Sequence, residues 1–249
     1  MNVGAITTSG GDATPEASNP TNRNGGNAGN IIIGAPGTGK KIYLNGDLLA
    51  IGGGYSGAST QGLGGYIELQ TPTILTANRL VSTGATSGNI YALSTIDSDG
   101  TARSLTLTAG TGDVRLRGVV GGAAPLSSFT VSSSANTTVE KNLTTNAAGG
   151  VTINASYNIH LGDDTVANGS GAMTVDTRTG NGTVTLNTIN TWLDDAVTFT
   201  RGSGAISVAQ NLYSKAAERN DLTFNGTGGG AISVGWDVGG GSVGGANSL

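Results

Sequence analysis

Short runs of alternating apolar and polar residues recur along most of the chain. In residues 104–116, Leu105 and Leu107 alternate with threonines, a Gly-rich turn follows, and Val114 and Leu116 flank an arginine. This alternation over three to five residues predicts β-strands that turn one face toward a core. The units carry no segment with the 3.6-residue period of a helix, so the pattern predicts an all-β fold.

The strands recur with a period of about 23 residues. The first apolar residue of the first strand in successive units gives the series Leu105, Phe129, Val151, Met173, Val197 and Leu222. The second strand gives Val114, Val139, Ile159, Val184, Ile206 and Ile232, and the third gives Val119, Leu143, Val166, Ile189, Leu212 and Val238. Repeats of this length with two or three short strands are typical of solenoids. The sequence therefore predicts a right-handed parallel β-helix of about nine to ten coils.

The first third of the chain repeats less regularly, because long polar segments separate its strands. We interpret residues 1–249 as one elongated domain, with long corner loops at 12–27 and 55–63 and a Gly-rich C-terminal end at 239–249. The predicted strand positions are Ile31, Ile67 and Ile90 in the second column, Ile42 and Ile74 in the third, and Val81 in the first. Ile42 in the second column is the alternative.

Composition narrows the possible partners and chemistry. The 44 glycines, together with only 4 % aromatic residues, favour turns and outward strand positions over a compact enzyme core. A net charge of −4 without a basic cluster argues against nucleic acid. The lack of cysteine excludes disulfides and thiolate metal sites. No apolar run is long enough to span a membrane, and the N-terminus lacks the pattern of a signal peptide, so we expect an exported protein to be longer than this chain.

Residues 31–41, IIIGAPGTGKK, partly match a phosphate-binding loop. Gly34, Gly39 and Lys40 fit the spacing of the motif, and an apolar strand precedes them. However, Lys41 stands where the motif needs Ser or Thr for Mg²⁺, and the residues that follow have a strand pattern where a helix should begin. We therefore interpret this segment as a Gly-rich corner between two strands.

The only histidine and two acidic pairs are the candidates for catalytic or metal chemistry. His160 alternates with buried neighbours, so we expect it to face outward, and one histidine cannot form a metal cluster. The pairs Asp163-Asp164 and Asp194-Asp195 suggest Ca²⁺ or a glycosidase site, but the period places them at different corners. We therefore predict no metal, no cofactor and no catalytic residue.

The most regular polar feature is a predicted outward column of threonines, one in each coil. Its members are Thr106, Thr130, Thr152, Thr174, Thr198 and Thr223. A Thr ladder on a β-solenoid is also used by ice-binding proteins, which this column resembles. Threonine nevertheless has high β-propensity, and stacked hydroxyls stabilise neighbouring strands. The column is therefore a possible surface ladder, with ice binding as an alternative function.

Several stretches resemble the repeat region of filamentous-haemagglutinin-like giant bacterial adhesins. They are residues 94–138, which begin STIDSDGTARSLTLTAG, the earlier ITTSGG and GGNAGNIII, and residues 221–234, DLTFNGTGGGAISV. The resemblance implies a right-handed parallel β-helix displayed outside the cell, which holds a binding region away from the surface. The chain lacks the secretion domain of that family, and the resemblance supplies no catalytic residue.

Together these features predict a structural and adhesive segment of a bacterial cell-surface or extracellular-matrix protein, without enzymatic activity. Expected partners are a glycan or cell-surface receptor, with the corner loops as the favoured contact regions, and other copies joined end to end into fibres. The enzyme alternative, a β-helical carbohydrate-active enzyme, requires carboxylates and basic residues converging in one groove, which the linear sequence does not indicate.

Overall fold

The computed structural model describes residues 1–13, 23–163, 171–215 and 220–239, and all regular elements within them are strands. In chain order they are β1 (Asn2–Val3), β2 (Ile6–Thr7), β3 (Ile31–Ile33), β4 (Ile42–Leu44), β5 (Leu48–Leu49), β6 (Ile67–Leu69), β7 (Thr73–Leu75), β8 (Arg79–Ser82), β9 (Ile90–Ala92), β10 (Ile96–Ser98), β11 (Ser104–Thr108), β12 (Val114–Leu116), β13 (Leu126–Ser133), β14 (Asn136–Val139), β15 (Leu143–Asn154), β16 (Asn158–Leu161), β17 (Ala172–Asp176), β18 (Val184–Asn187), β19 (Asn190–Leu193), β20 (Ala196–Arg201), β21 (Ile206–Val208), β22 (Asn211–Ser214), β23 (Leu222–Gly226) and β24 (Ile232–Val234).

These strands stack into three sheets in which every strand pairing is parallel. Sheet 1 runs β2-β5-β8-β11-β13-β15-β18-β21-β24, and sheet 2 runs β3-β6-β9-β12-β14-β16-β19-β22. Sheet 3 starts with β1-β4-β7-β10, continues through bridges at Val120 to the start of β15, and ends with β17-β20-β23. The chain visits the three sheets in turn, which confirms the predicted parallel β-helix. It has eight to nine coils, slightly fewer than predicted.

One apolar column fills the interior along the axis. Most strands contribute only a few inward side chains, and those of Leu105, Leu107, Val114 and Leu116 are almost fully buried. All of these side chains belong to a single hydrophobic cluster that extends from Val3 to Leu212. Burying such a side chain is worth about 1.5 to 3 kcal/mol, so a coil gains its core only when its neighbours cover it.

The predicted strand series loses its phase at the seventh coil. Val151 in sheet 1 pairs with Val184. The sequence period instead predicts that Met173 is the next residue of this column. Met173 lies in β17, which joins sheet 3. Val184 and the later members of its series therefore lie in sheet 1, and their predicted place in the second column is wrong. The physical reason is one longer coil, which contains residues 164–170 outside the described part of the chain.

The third predicted series contains further errors. Val120, and not Val119, is the buried residue that bridges to β10 and β15. Ile189 is exposed at a corner, and Leu212 lies in sheet 2 with Val238 bridged to it. Val166 lies outside the described residues.

The predicted columns of the first third are confirmed except at Ile74. Strand pairing aligns Ile31, Ile67 and Ile90 in sheet 2 and places Ile42 in sheet 3. Ile74 also lies in sheet 3, but its register partner is Tyr43, and Thr73 is the partner of Ile42. Val81 pairs within sheet 1.

The described parts of the two predicted corner loops lie against each other. Arg23 and Ser56 form an antiparallel bridge, and the Thr60 backbone N–H donates to Asn24 Oδ1 at 3.2 Å. Glycines pack backbone to backbone at this corner: a Cβ on Gly10 would lie 1.8 Å from the Gly26 carbonyl oxygen. Residues 14–22, like residues 240–249 at the Gly-rich end, lie outside the described residues.

Candidate functional site

The segment that resembles a phosphate-binding loop is a corner, as predicted. It connects β3 to β4, and no helix follows it. Gly34, Gly37 and Gly39 adopt positive φ angles of 105°, 77° and 64°, which allow the chain to turn tightly there. The corner therefore lacks the helix N-terminus that holds phosphate in such motifs.

The predicted single column of six threonines is divided between two sheets. Thr106, Thr130 and Thr152 are register partners in sheet 1, and Thr185 continues their column. Thr174, Thr198 and Thr223 form a separate column in sheet 3. The prediction of one column is wrong for the same reason as the strand series, because the longer seventh coil moves the later strands to another sheet.

A chemically more varied column lies on the outer surface of sheet 2. Strand register aligns the outward position of eight successive strands: Ile32, Glu68, Tyr91, Arg115, Thr138, His160, Trp192 and Tyr213. Neighbouring side chains bury two of these residues, Thr138 and Tyr213. The stack brings a carboxylate, aromatic rings, a guanidinium and an imidazole onto one surface. The three apolar series identified in the sequence did not reveal this column, because they follow inward residues.

Two adjoining depressions lie on this surface. One, of about 370 Å³, is lined by Tyr91, Asp113, Val114, Arg115, Asn136, Thr138, Asn158 and His160. The other, of about 410 Å³, is lined by Glu68, Tyr91, Leu93, Arg115 and Arg117. They adjoin each other, because Tyr91 and Arg115 line both. We call the two depressions together the sheet 2 groove.

A ladder of side-chain amides borders the groove where the strands of sheet 2 begin. Asn136 Nδ2 donates to Asp113 Oδ1 at 2.9 Å, Asn158 Nδ2 donates to Asn136 Oδ1 at 3.1 Å, and Asn190 Nδ2 donates to Asn158 Oδ1 at 3.3 Å. Asn211 extends the ladder. Each amide is held by its neighbours, so this wall of the groove is rigid. The recurrence of Asn or Asp just before these strands is a sequence signal that could have revealed it.

Two arginines that line the groove, Arg115 and Arg117, share the carboxylate of Glu140. Arg115 Nε lies 2.6 Å from Glu140 Oε1, and Arg117 Nε lies 3.6 Å from the same oxygen. The Glu140 side chain is only 7 % exposed, so its carboxylate depends on these guanidinium groups for compensation. Removing the arginines would leave a buried, uncompensated charge.

His160 faces outward, as predicted, and a buried carboxylate holds its ring. His160 Nδ1 lies 2.8 Å from Oδ2 of Asp194, whose side chain is 1 % exposed. A carboxylate at Nδ1 favours the tautomer in which Nδ1 carries the proton and Nε2 is an acceptor. The imidazole is therefore a fixed element of the groove.

The two acidic pairs meet at one corner, contrary to the prediction that they lie at different corners. The backbone N–H of Asp163 donates to Asp195 Oδ2 at 3.0 Å, because Leu161 and Leu193 are register partners on successive coils. Asp164 lies outside the described residues. Within the described ranges, no group of three or more His, Asp or Glu side chains is arranged to hold a metal ion.

Comparisons with protein-family models, curated proteins and solved structures found no match. The fold assignment therefore depends on the sheet topology, which is that of a β-solenoid. The resemblance to filamentous-haemagglutinin-like adhesins depends on the style of the repeats. None of the described residues forms a helix long and apolar enough to cross a bilayer.

Proposed function

We propose that this chain is a structural and adhesive β-solenoid segment of a bacterial cell-surface or extracellular-matrix protein, and that it has no catalytic role. The observation that carries the proposal is the combination of parallel ladders through eight to nine coils with a polar and aromatic groove on one face. The ladders supply a stiff support, and the groove supplies a surface for recognition.

The mechanical part of the proposal follows from the stacking. Eight to nine coils at about 4.8 Å each give a rod of roughly 38 to 43 Å, held along its axis by backbone hydrogen bonds. Weak contacts made by several such segments in one protein, or by several copies on one cell, add up through multivalency. A rigid spacer with modest affinity at each segment is therefore sufficient for firm attachment.

The alternatives receive less support from the geometry. Ice binding called for one flat column of six threonines, and these residues are divided between two sheets. A glycosidase would need two carboxyl groups available to substrate. The two carboxylates that line the sheet 2 groove already accept hydrogen bonds, Asp113 from Asn136 and Glu68 from Gln70 Nε2. Beside the groove, Glu140 is engaged by Arg115, and Asp194 is engaged by His160.

The proposal is tested with fluorescent beads that carry the purified chain. We expect saturable attachment to cells or to glycan-coated surfaces, and competition by the soluble chain. Beads carrying serum albumin are the control. Attachment no greater than that of the control on all surfaces would contradict the adhesive function, whereas hydrolysis or elimination products from the glycan coats would contradict the absence of catalysis.

A further inference from the structure

We propose that the sheet 2 groove is a binding site for a neutral, hydroxyl-rich glycan chain that lies along the axis of the β-helix. This inference rests on the proposed adhesive function and names its site and ligand class. It also moves the contact region away from the corner loops, which the sequence had favoured.

The size and direction of the groove fit an extended ligand. Its two depressions, of about 370 and 410 Å³, each fall within the usual range of ligand clefts, and they adjoin at Tyr91 and Arg115, which line both. The lining residues come from successive strands of one sheet, so the groove follows the stacking direction. A chain molecule that lies along the groove can therefore contact residues from several successive coils.

Aromatic rings mark two positions along the groove. Tyr91 and His160 are three coils apart in one column, which corresponds to roughly 14 Å. Asn89 Nδ2 donates to the Tyr91 hydroxyl at 2.5 Å, and Asp194 holds the His160 ring, so both rings are oriented before a ligand arrives. Rings with an apolar face and a polar edge suit sugars, which present C–H faces and hydroxyl rims.

The amide ladder and Thr138 offer hydrogen bonds to the hydroxyl groups of a ligand. Each amide of the ladder at Asn136 and Asn158 uses one N–H in its bond to the preceding coil, which leaves a second N–H. Thr138 lies between the rings and lines the first depression, where its hydroxyl can donate or accept a hydrogen bond. Such fixed donors and acceptors match a ligand that carries many hydroxyls.

The charges of the groove favour a neutral ligand over an ionic one. Arg115 is ion-paired with Glu140, and the Asp113 carboxylate accepts from both the backbone and the side chain of Asn136. An anionic glycan would meet the carboxylates of Asp113 and Glu68 in the same groove, and a cationic one would meet the arginines. A neutral chain avoids both repulsions.

The test measures the affinity of the chain for soluble oligosaccharides by calorimetry. The neutral probes are hexasaccharides of glucose, mannose and N-acetylglucosamine, and the anionic probes are hexagalacturonate and heparin. We expect at least one neutral probe to bind with little dependence on salt. Tyr91→Leu should lower its affinity about tenfold or more, and Tyr91→Phe, which keeps the ring, should retain most of it.

Tyr43 provides a matched control. It is the middle, outward residue of β4, as Tyr91 is of β9, but it lies on sheet 3. Tyr43→Leu should leave the affinity unchanged within about twofold. Equal losses in Tyr43→Leu and Tyr91→Leu, binding only of anionic probes, or no binding of any probe would overturn the inference. If no probe binds while beads still adhere, the groove assignment alone fails; if the beads do not adhere, the proposed function fails as well.

Discussion

Thr191 places a hydroxyl inside the core of sheet 2, and within the described ranges that hydroxyl has no hydrogen-bond partner. Thr137 occupies the equivalent inward position two coils earlier, and both residues are 0 % exposed. The Thr137 hydroxyl differs in one respect, because it lies 2.8 Å from the hydroxyl of Ser134. The two threonines therefore form a matched pair that differs in hydrogen bonding.

Replacement by valine keeps the shape of the side chain and removes the hydroxyl. Burying a hydroxyl without a partner costs about 1 to 3 kcal/mol. We therefore expect Thr191→Val to raise the free energy of unfolding by about 1 to 2 kcal/mol. At roughly 2 to 4 °C per kcal/mol for a chain of this size, the melting temperature should rise by several degrees. Thr137→Val should give no gain or a loss of about 1 kcal/mol, because it leaves Ser134 without this bond.

The assay is urea denaturation followed by circular dichroism and tryptophan fluorescence. Agreement between the two probes establishes that unfolding is cooperative, which a repeat structure does not guarantee. A gain of stability in Thr191→Val, together with no gain or a loss in Thr137→Val, would support the inward position of Thr191 and the register of the seventh coil. An equal loss of stability in both variants would refute the reasoning.

Two further predictions test the register and one corner. The chain has no native cysteine, so Thr152→Cys with Thr185→Cys should form a disulfide on oxidation, because these residues are register partners on adjacent strands. Thr152→Cys with Thr174→Cys, which the simple repeat would have favoured, should not; the reverse outcome would contradict the long seventh coil. Gly162→Ala should reduce the urea midpoint more than Gly37→Ala, because Gly162 has φ 114° and a Cβ there would lie 2.4 Å from the Asp195 nitrogen, whereas Gly37 has φ 77° and open space around it. Similar midpoints for the two alanine variants would show that the predicted clash at Gly162 does not occur.

The all-β character and the β-helical repeat could be predicted from the sequence, because alternation and period are local properties. The phase could not be carried through the long coil. Strands such as Phe129 to Val131, Val151 to Ile153 and Met173 to Val175 share one apolar-Thr-apolar pattern, although β17 belongs to a different sheet. Pairing between coils, which depends on the length of every intervening loop, decides the sheet.

The same limit explains why the groove was missed. Tyr91, Arg115 and His160 are scattered along the sequence and meet only when register aligns them. The polar column predicted from the period was the threonine column, and it is the one that register divides. The convergence of Asp163 with Asp195 likewise depends on which coil follows β16.

The decisive measurement is the adhesion of beads that carry single-residue variants, because it shows whether attachment depends on the sheet 2 groove. Beads coated at equal density with the unmodified chain, Tyr91→Leu or Tyr43→Leu are compared on the surface to which the unmodified chain attaches. We expect Tyr91→Leu beads to lose most of their attachment and Tyr43→Leu beads to keep it. Full attachment of the Tyr91→Leu beads would show that adhesion does not pass through the sheet 2 groove.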